Sequence, residues 1–170
     1  MSDKNTFAAD EWKALREAPQ LVSLAIATAG ASGIFGTLKE AFSSSAALVE
    51  AMKSENPLLR AVCSREEISE AQQSLRDMAK ELKASDLKQT QERIATRALD
   101  TLRSALDVLQ RKGSPGDYEA YAGFVKALSK RVAEASKEGG FLGFGGERVS
   151  EGEKQMLAKL DRALGPSTRA

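Results

Sequence analysis

Glu67 and Glu70 stand three residues apart, a spacing that puts both carboxylates on one face of a helix. Such a pair can supply half of an oxygen-rich Mg²⁺ site, because a hard divalent cation needs several carboxylate oxygens at short range. The other half, a Glu-x-x-Asp on a facing helix, does not follow in the chain. Glu67 also lies three residues after Ser64, where it fits a capping box at a helix start, and acidic side chains favour a first helical turn. The structural role accounts for both residues, so no metal site is expected. The one thiol, Cys63, follows Val62 in an apolar stretch and reads as a packed core side chain rather than a nucleophile.

The chain of 170 residues contains no histidine. That removes Ser-His-Asp and Cys-His nucleophiles, histidine ligation of zinc or haem, the Glu-x-x-His of ferritin-like di-iron sites, and any side chain that titrates unperturbed near neutrality. A single cysteine forms no intramolecular disulfide, so nothing in the sequence requires an oxidising compartment. With 25 Lys and Arg against 24 Asp and Glu, the formal charge is +1 and gives no broad field for nucleic acid. A non-enzyme without cofactor or catalytic residues is the expectation. The start, MSDKNTFAADEWK, lacks the basic and apolar regions of a signal peptide, which predicts a cytoplasmic address.

Residues 139–146, GGFLGFGG, interrupt an otherwise helical pattern. They have neither the Lys-Ser/Thr end of a P-loop nor dinucleotide glycine spacing. Exposed N–H groups of the following helix could receive an anion, a weak signal on its own. Phe141, Leu142 and Phe144 are large apolar groups on a glycine-rich connector. They must either plug the bundle or dock onto a partner, since an exposed apolar cluster in water is unfavourable. These three residues form the candidate interaction loop. Lys126, Lys130 and Arg131 form a small candidate basic patch, with a solvated helix face as the plainer reading.

The elements that must position these residues are helical. Apolar side chains recur at alternating spacings of three and four, and no period-two strand is evident. Residues 33–54 carry Phe35, Leu38, Phe42, Ser45, Val49 and Met52; residues 64–83 carry Ile68, Ala71, Leu75, Met78 and Leu82. Residues 86–112 carry two adjacent rows, from Ile94 and Ala95 to Val108 and Leu109, wide enough to touch more than one neighbour. Tyr118, Tyr121, Val125, Leu128, Val132 and Ala135 mark a helix over 114–137, and Met156, Leu157, Leu160 and Leu164 one over 150–164. Ser150 with Glu153 gives a second capping box, and Ser114-Pro115 a further start. Gly113, Gly139 and Gly165 fit left-handed caps after helical runs.

Asn56-Pro57 breaks the chain before one short helical turn over 57–63. Pro19 predicts a break or kink near Ala18, with a central, nearly all-apolar piece after it. The uncharged run 18–38 has the length of a membrane span but holds many small and polar residues, and reads as two buried helical pieces. The prediction is an all-α, single-domain bundle of five to seven helices over residues 1–170, with 1–6 and 166–170 frayed.

GGFLGFGGERVSEGEKQMLAKLDRAL, residues 139–164, resembles a segment near the carboxyl end of a family of uncharacterised bacterial proteins. The stretch DEWKALREAP and the later Leu38-Lys39-Glu40 are similar to that family's beginning. This resemblance implies no mechanism. Gly146, Val149, Ser150, Glu153 and Leu164-Gly165 resemble the TerB-like tellurite-resistance and stress-response domains, in which a Gly-x-x-Ser-x-x-Glu segment opens a helix ending in Leu-Gly. The Asp-Gly usual before that turn is replaced by Gly145-Gly146. The leading expectation is a non-catalytic protein-interaction or scaffold module, with an unknown protein partner or self-association through Tyr118, Tyr121 and the face at 94–109. The TerB-like resemblance implies the alternative of a carboxylate-based metal or anion binder. Peripheral membrane attachment through residues 18–38 or the loop is the third reading.

Overall fold

A computed structural model describes residues 2–29, 46–82, 86–138 and 150–165. Among the described residues there are seven α-helices and no strand, and they form an all-α, single-domain bundle. In chain order these are α1 (Ala9–Ala29), α2 (Ala46–Met52), α3 (Pro57–Val62), α4 (Arg65–Leu82), α5 (Leu87–Lys112), α6 (Asp117–Glu138) and α7 (Glu151–Leu164). A 3₁₀ turn, Lys4–Thr6, precedes them.

Helix α1 is the hub, packing against α4, α5, α6 and α7. Its neighbours alternate in direction. Lys112, at the end of α5, bonds Glu11 near the start of α1 at 2.6 Å, while Gln91, near the start of α5, donates to the carbonyl of Thr28. Helix α5 therefore runs opposite to α1. Helix α6 begins beside the first half of α1, where the Tyr121 hydroxyl reaches the carbonyl of Leu15. Helix α7 returns from Ala29, which its Gly152 abuts, to Tyr118, whose hydroxyl donates to the carbonyl of Leu164 at 3.2 Å. The result is an up-down four-helix core, α1, α5, α6 and α7, with α4 laid on α1 and the short α2 and α3 packed against α6.

The apolar rows predict most of this packing. Ile94, Ala98, Leu102, Ala105, Leu106, Val108 and Leu109 of α5 are buried, and this wide face meets α1, α6 and α7. Tyr121, Val125, Leu128 and Val132 of α6 are buried, as are Met156, Leu160 and Leu164 of α7. In α4, Ala71 and Met78 are buried while Ile68 and Leu75 are half-buried. The second half of α1 is central to the core, with Leu21, Val22, Leu24, Ala25 and Ile26 all buried.

Five local expectations are corrected. Helix α1 runs unbroken through Pro19. Proline removes one N–H, and the carbonyl that loses its partner is that of Leu15, four residues earlier. The Tyr121 hydroxyl donates to that carbonyl at 2.7 Å, so the helix passes the proline with the orphaned group satisfied. In α2 the inward side chains are Ala47, Leu48 and Ala51, and Val49 is 43% exposed, so the row drawn through Val49 is rotated from the one that packs. The earlier members of that row lie outside the described residues.

Residues 2–6 are not frayed. Asp3 and Thr6 close a capping box around the 3₁₀ turn, and the buried Ser2 hydroxyl accepts from the backbone N–H of Ser114 at 2.8 Å. Helix α6 starts at Asp117 rather than at Pro115, because Ser114-Pro115-Gly116-Asp117 is a turn closed by the Asp117 N–H on Ser114 O at 3.0 Å. Gly116 takes φ 86° in that turn, where an L side chain is strained. Gly113 ends α5 in an extended conformation with φ −66°, whereas Gly165 has the positive φ, 72°, expected after α7. Gly139 lies outside the described residues.

Candidate functional site

The Glu67 carboxylate is buried between α4 and the amino-terminal segment. One oxygen accepts from Lys4 Nζ at 2.6 Å and the other from Arg16 Nη1 at 3.3 Å. Glu70 also pairs with Arg16 Nη1. The expected capping box at Ser64 is half formed: the Glu67 N–H reaches Ser64 Oγ at 3.4 Å, while the Ser64 N–H bonds Ala61 O. Glu67 is thus turned from its own helix start toward two cations that the sequence places 63 and 51 residues away. Among the described residues no group of three Cys, Asp or Glu side chains converges as a metal site. Both carboxylates of the pair are engaged by cations of the same chain.

The second box, at Ser150, is complete. The Ser150 N–H and hydroxyl both donate to Glu153 Oε2, at 2.8 and 2.9 Å, and the Glu153 N–H donates to Ser150 Oγ at 3.3 Å. This fixes the start of α7. Phe141, Leu142 and Phe144 lie outside the described residues. Helix α6 ends at Glu138, and α7 starts against the end of α1. A Cβ at Gly152 would sit 2.4 Å from Ala29 O, so α1 and α7 meet there as backbones.

Two residues of the candidate basic patch have acidic partners on other helices. Lys126 Nζ lies 3.6 Å from Asp161 Oδ1 on α7, and Arg131 Nη2 lies 3.4 Å from Glu50 Oε1 on α2. Lys130 is exposed. Tyr121 is fully buried, and on the 94–109 face Ile94, Ala98, Leu102, Ala105, Leu106, Val108 and Leu109 are buried while Ala95 and Leu99 are half-buried. Tyr118 is half-buried and held by its bond to Leu164. On α5, Arg111 pairs with Asp107 at 2.9 Å and Arg103 with Asp100 at 3.2 Å.

Burial pushes the Cys63 thiol up to about 12. A thiol that stays protonated is not a nucleophile at physiological pH. Native protein at pH 8 is expected to leave a maleimide unconsumed, with stoichiometric labelling only in denaturant. Rapid labelling of the folded chain would show that Cys63 is accessible and ionised. Burial likewise pushes the Tyr121 phenol well above its usual value, with the neighbouring Cys63 adding to the effect, so its hydroxyl remains a donor.

Two polar features gave no local signal in the sequence. The buried Asp117 carboxylate accepts from Asn56 Nδ2 and from the Ser114 N–H, both at 2.8 Å, joining the start of α3 to the start of α6. Asn56 uses its Oδ1 to cap α3 through the Leu59 N–H at 3.0 Å, so one side chain ties two helix starts. Glu17 is buried on α1 with Lys13 Nζ 3.9 Å away. Among the described residues no helix is long and apolar enough to cross a membrane. No protein-family model, curated protein or solved structure matches this chain.

Proposed function

We propose that this chain is a non-catalytic, cytoplasmic helical interaction module whose contact element is the 139–149 segment. The observation that supports it most is the use the fold makes of its own reactive groups. Glu67 and Glu70 are taken by Lys4 and Arg16, Asp117 by two helix starts, Tyr121 by the Leu15 carbonyl, and Cys63 by burial. One large hydrophobic side chain, Val49, is exposed among the described residues. Among the described residues the large apolar side chains are otherwise used in the core, and the partner contact we propose is made by Phe141, Leu142 and Phe144, three large apolar groups on a glycine-rich stretch. On its carboxyl side, the capping box at Ser150 and the backbone contact of Gly152 with Ala29 fix the start of α7.

The test is the double substitution Phe141→Ser and Phe144→Ser. Loss of co-purifying proteins with an unchanged melting temperature is the expected result. A lowered melting temperature with the same co-purifying proteins would make the loop a plug of the core and remove the interaction role.

A further inference from the structure

We infer that Pro19 and Tyr121 act together as a lock on helix α1, the proline withdrawing a hydrogen bond from the middle of the helix and the tyrosine of α6 restoring it. Leu15 is fully buried, so its carbonyl has no access to water once Pro19 fails to supply an N–H. Tyr121 is equally buried and delivers its hydroxyl to that oxygen at 2.7 Å. One turn further on, buried Ser23 donates its hydroxyl to Pro19 O at 2.8 Å, a back-bond added beside the regular helix pattern. At Leu15 the continuity of the α1 hydrogen-bond ladder thus depends on a side chain from another helix.

The lock sits between two separately anchored halves. Ahead of it, Glu11 is held by Lys112 and Arg16 by Glu67 and Glu70. Beyond it, Thr28 O accepts from Gln91, and Ala29 abuts Gly152 at the start of α7. With Tyr121 in place the two halves move as one rod. Without its hydroxyl, the break that Pro19 introduces becomes a hinge between the ion-paired half of α1 and the half that meets α7. This device rests on the described helices alone and stands whether or not the 139–149 segment binds a partner.

Residue-resolved hydrogen exchange on wild type, Tyr121→Phe, Pro19→Ala and the double variant tests it. Tyr121→Phe keeps the ring and removes the donor. It is expected to speed exchange of α1 amides around residues 16–23 by roughly tenfold, the scale of one buried unsatisfied carbonyl. In the Pro19→Ala background, where a backbone N–H returns at position 19, the same change is expected to have little effect. Equal acceleration in both backgrounds would overturn the lock. Should Pro19→Ala fail to fold, the single variant still decides: acceleration concentrated in α1 upholds the inference, and acceleration spread evenly over α1, α5, α6 and α7, or none, refutes it.

Discussion

Gly152→Ala is expected to destabilise the protein, although helix propensity by itself argues the reverse. Gly152 lies in the first turn of α7, and replacing glycine by alanine inside a helix ordinarily gains up to about 1 kcal/mol. Here the added Cβ would meet Ala29 O at 2.4 Å and Ala29 C at 3.3 Å. Both are backbone atoms at the end of a 21-residue helix, so no side chain can swing away to make room. Overpacking of this kind costs about 1–3 kcal/mol. The net loss is of order 1–2 kcal/mol, equivalent to roughly 2–8 °C in a domain of this size. Thermal unfolding followed by circular dichroism reads it directly. A melting temperature equal to or above wild type would mean that α1 and α7 separate easily, and the close approach at Gly152 would not be a fixed feature of the fold.

That close approach was not readable from the sequence, where Gly152 is one more glycine in a run of them. What was readable followed from local periodicity. Helices α4, α5 and α7 begin and end within one or two residues of the spans that their apolar rows predict, because a row at spacings of three and four has only one face to bury. The capping box at Ser150 was equally local, since both bonds join residues three apart. The failures share a different cause. Pro19 should break a helix standing alone, and does not because Tyr121 supplies a donor from 106 residues away. Ser2 is pinned by Ser114, across a distance that no short window spans. A row continued from Phe35 runs through Val49, whereas the packed face of α2 is set by its own Ala47, Leu48 and Ala51. The loop residues Phe141, Leu142 and Phe144 rest on composition alone, being outside the described residues.

Glu67→Ala is expected to cost about 1–3 kcal/mol, and the way it fails discriminates between the two readings of the Glu67 and Glu70 pair. The Glu67 side chain is 5% exposed and shares its charge with Lys4, at 54%, and Arg16, at 16%. Removing a buried carboxylate strands its cations, which in a fully buried pair costs about 3–5 kcal/mol. The expected loss is smaller here because Lys4 is half in water and Arg16 keeps Glu70. Arg16 nevertheless has little freedom to recover, since its Nε is buried without a hydrogen-bond partner among the described residues. The amino-terminal turn also loses the contact that fastens Lys4 to α4, so proteolysis near residues 2–6 is expected to accelerate in the variant. A metal site at the same carboxylates makes the opposite demand on magnesium. If Glu67 and Glu70 serve Lys4 and Arg16, millimolar Mg²⁺ leaves the melting temperature of wild type unchanged, and Glu67→Ala melts lower by the same amount with or without it. If Mg²⁺ raises the wild-type melting temperature and the rise disappears in Glu67→Ala, the ion has displaced the cations and the carboxylates are ligands. The geometry favours the first outcome, because each Glu67 oxygen already faces a positive charge of the same chain, which repels an approaching divalent ion.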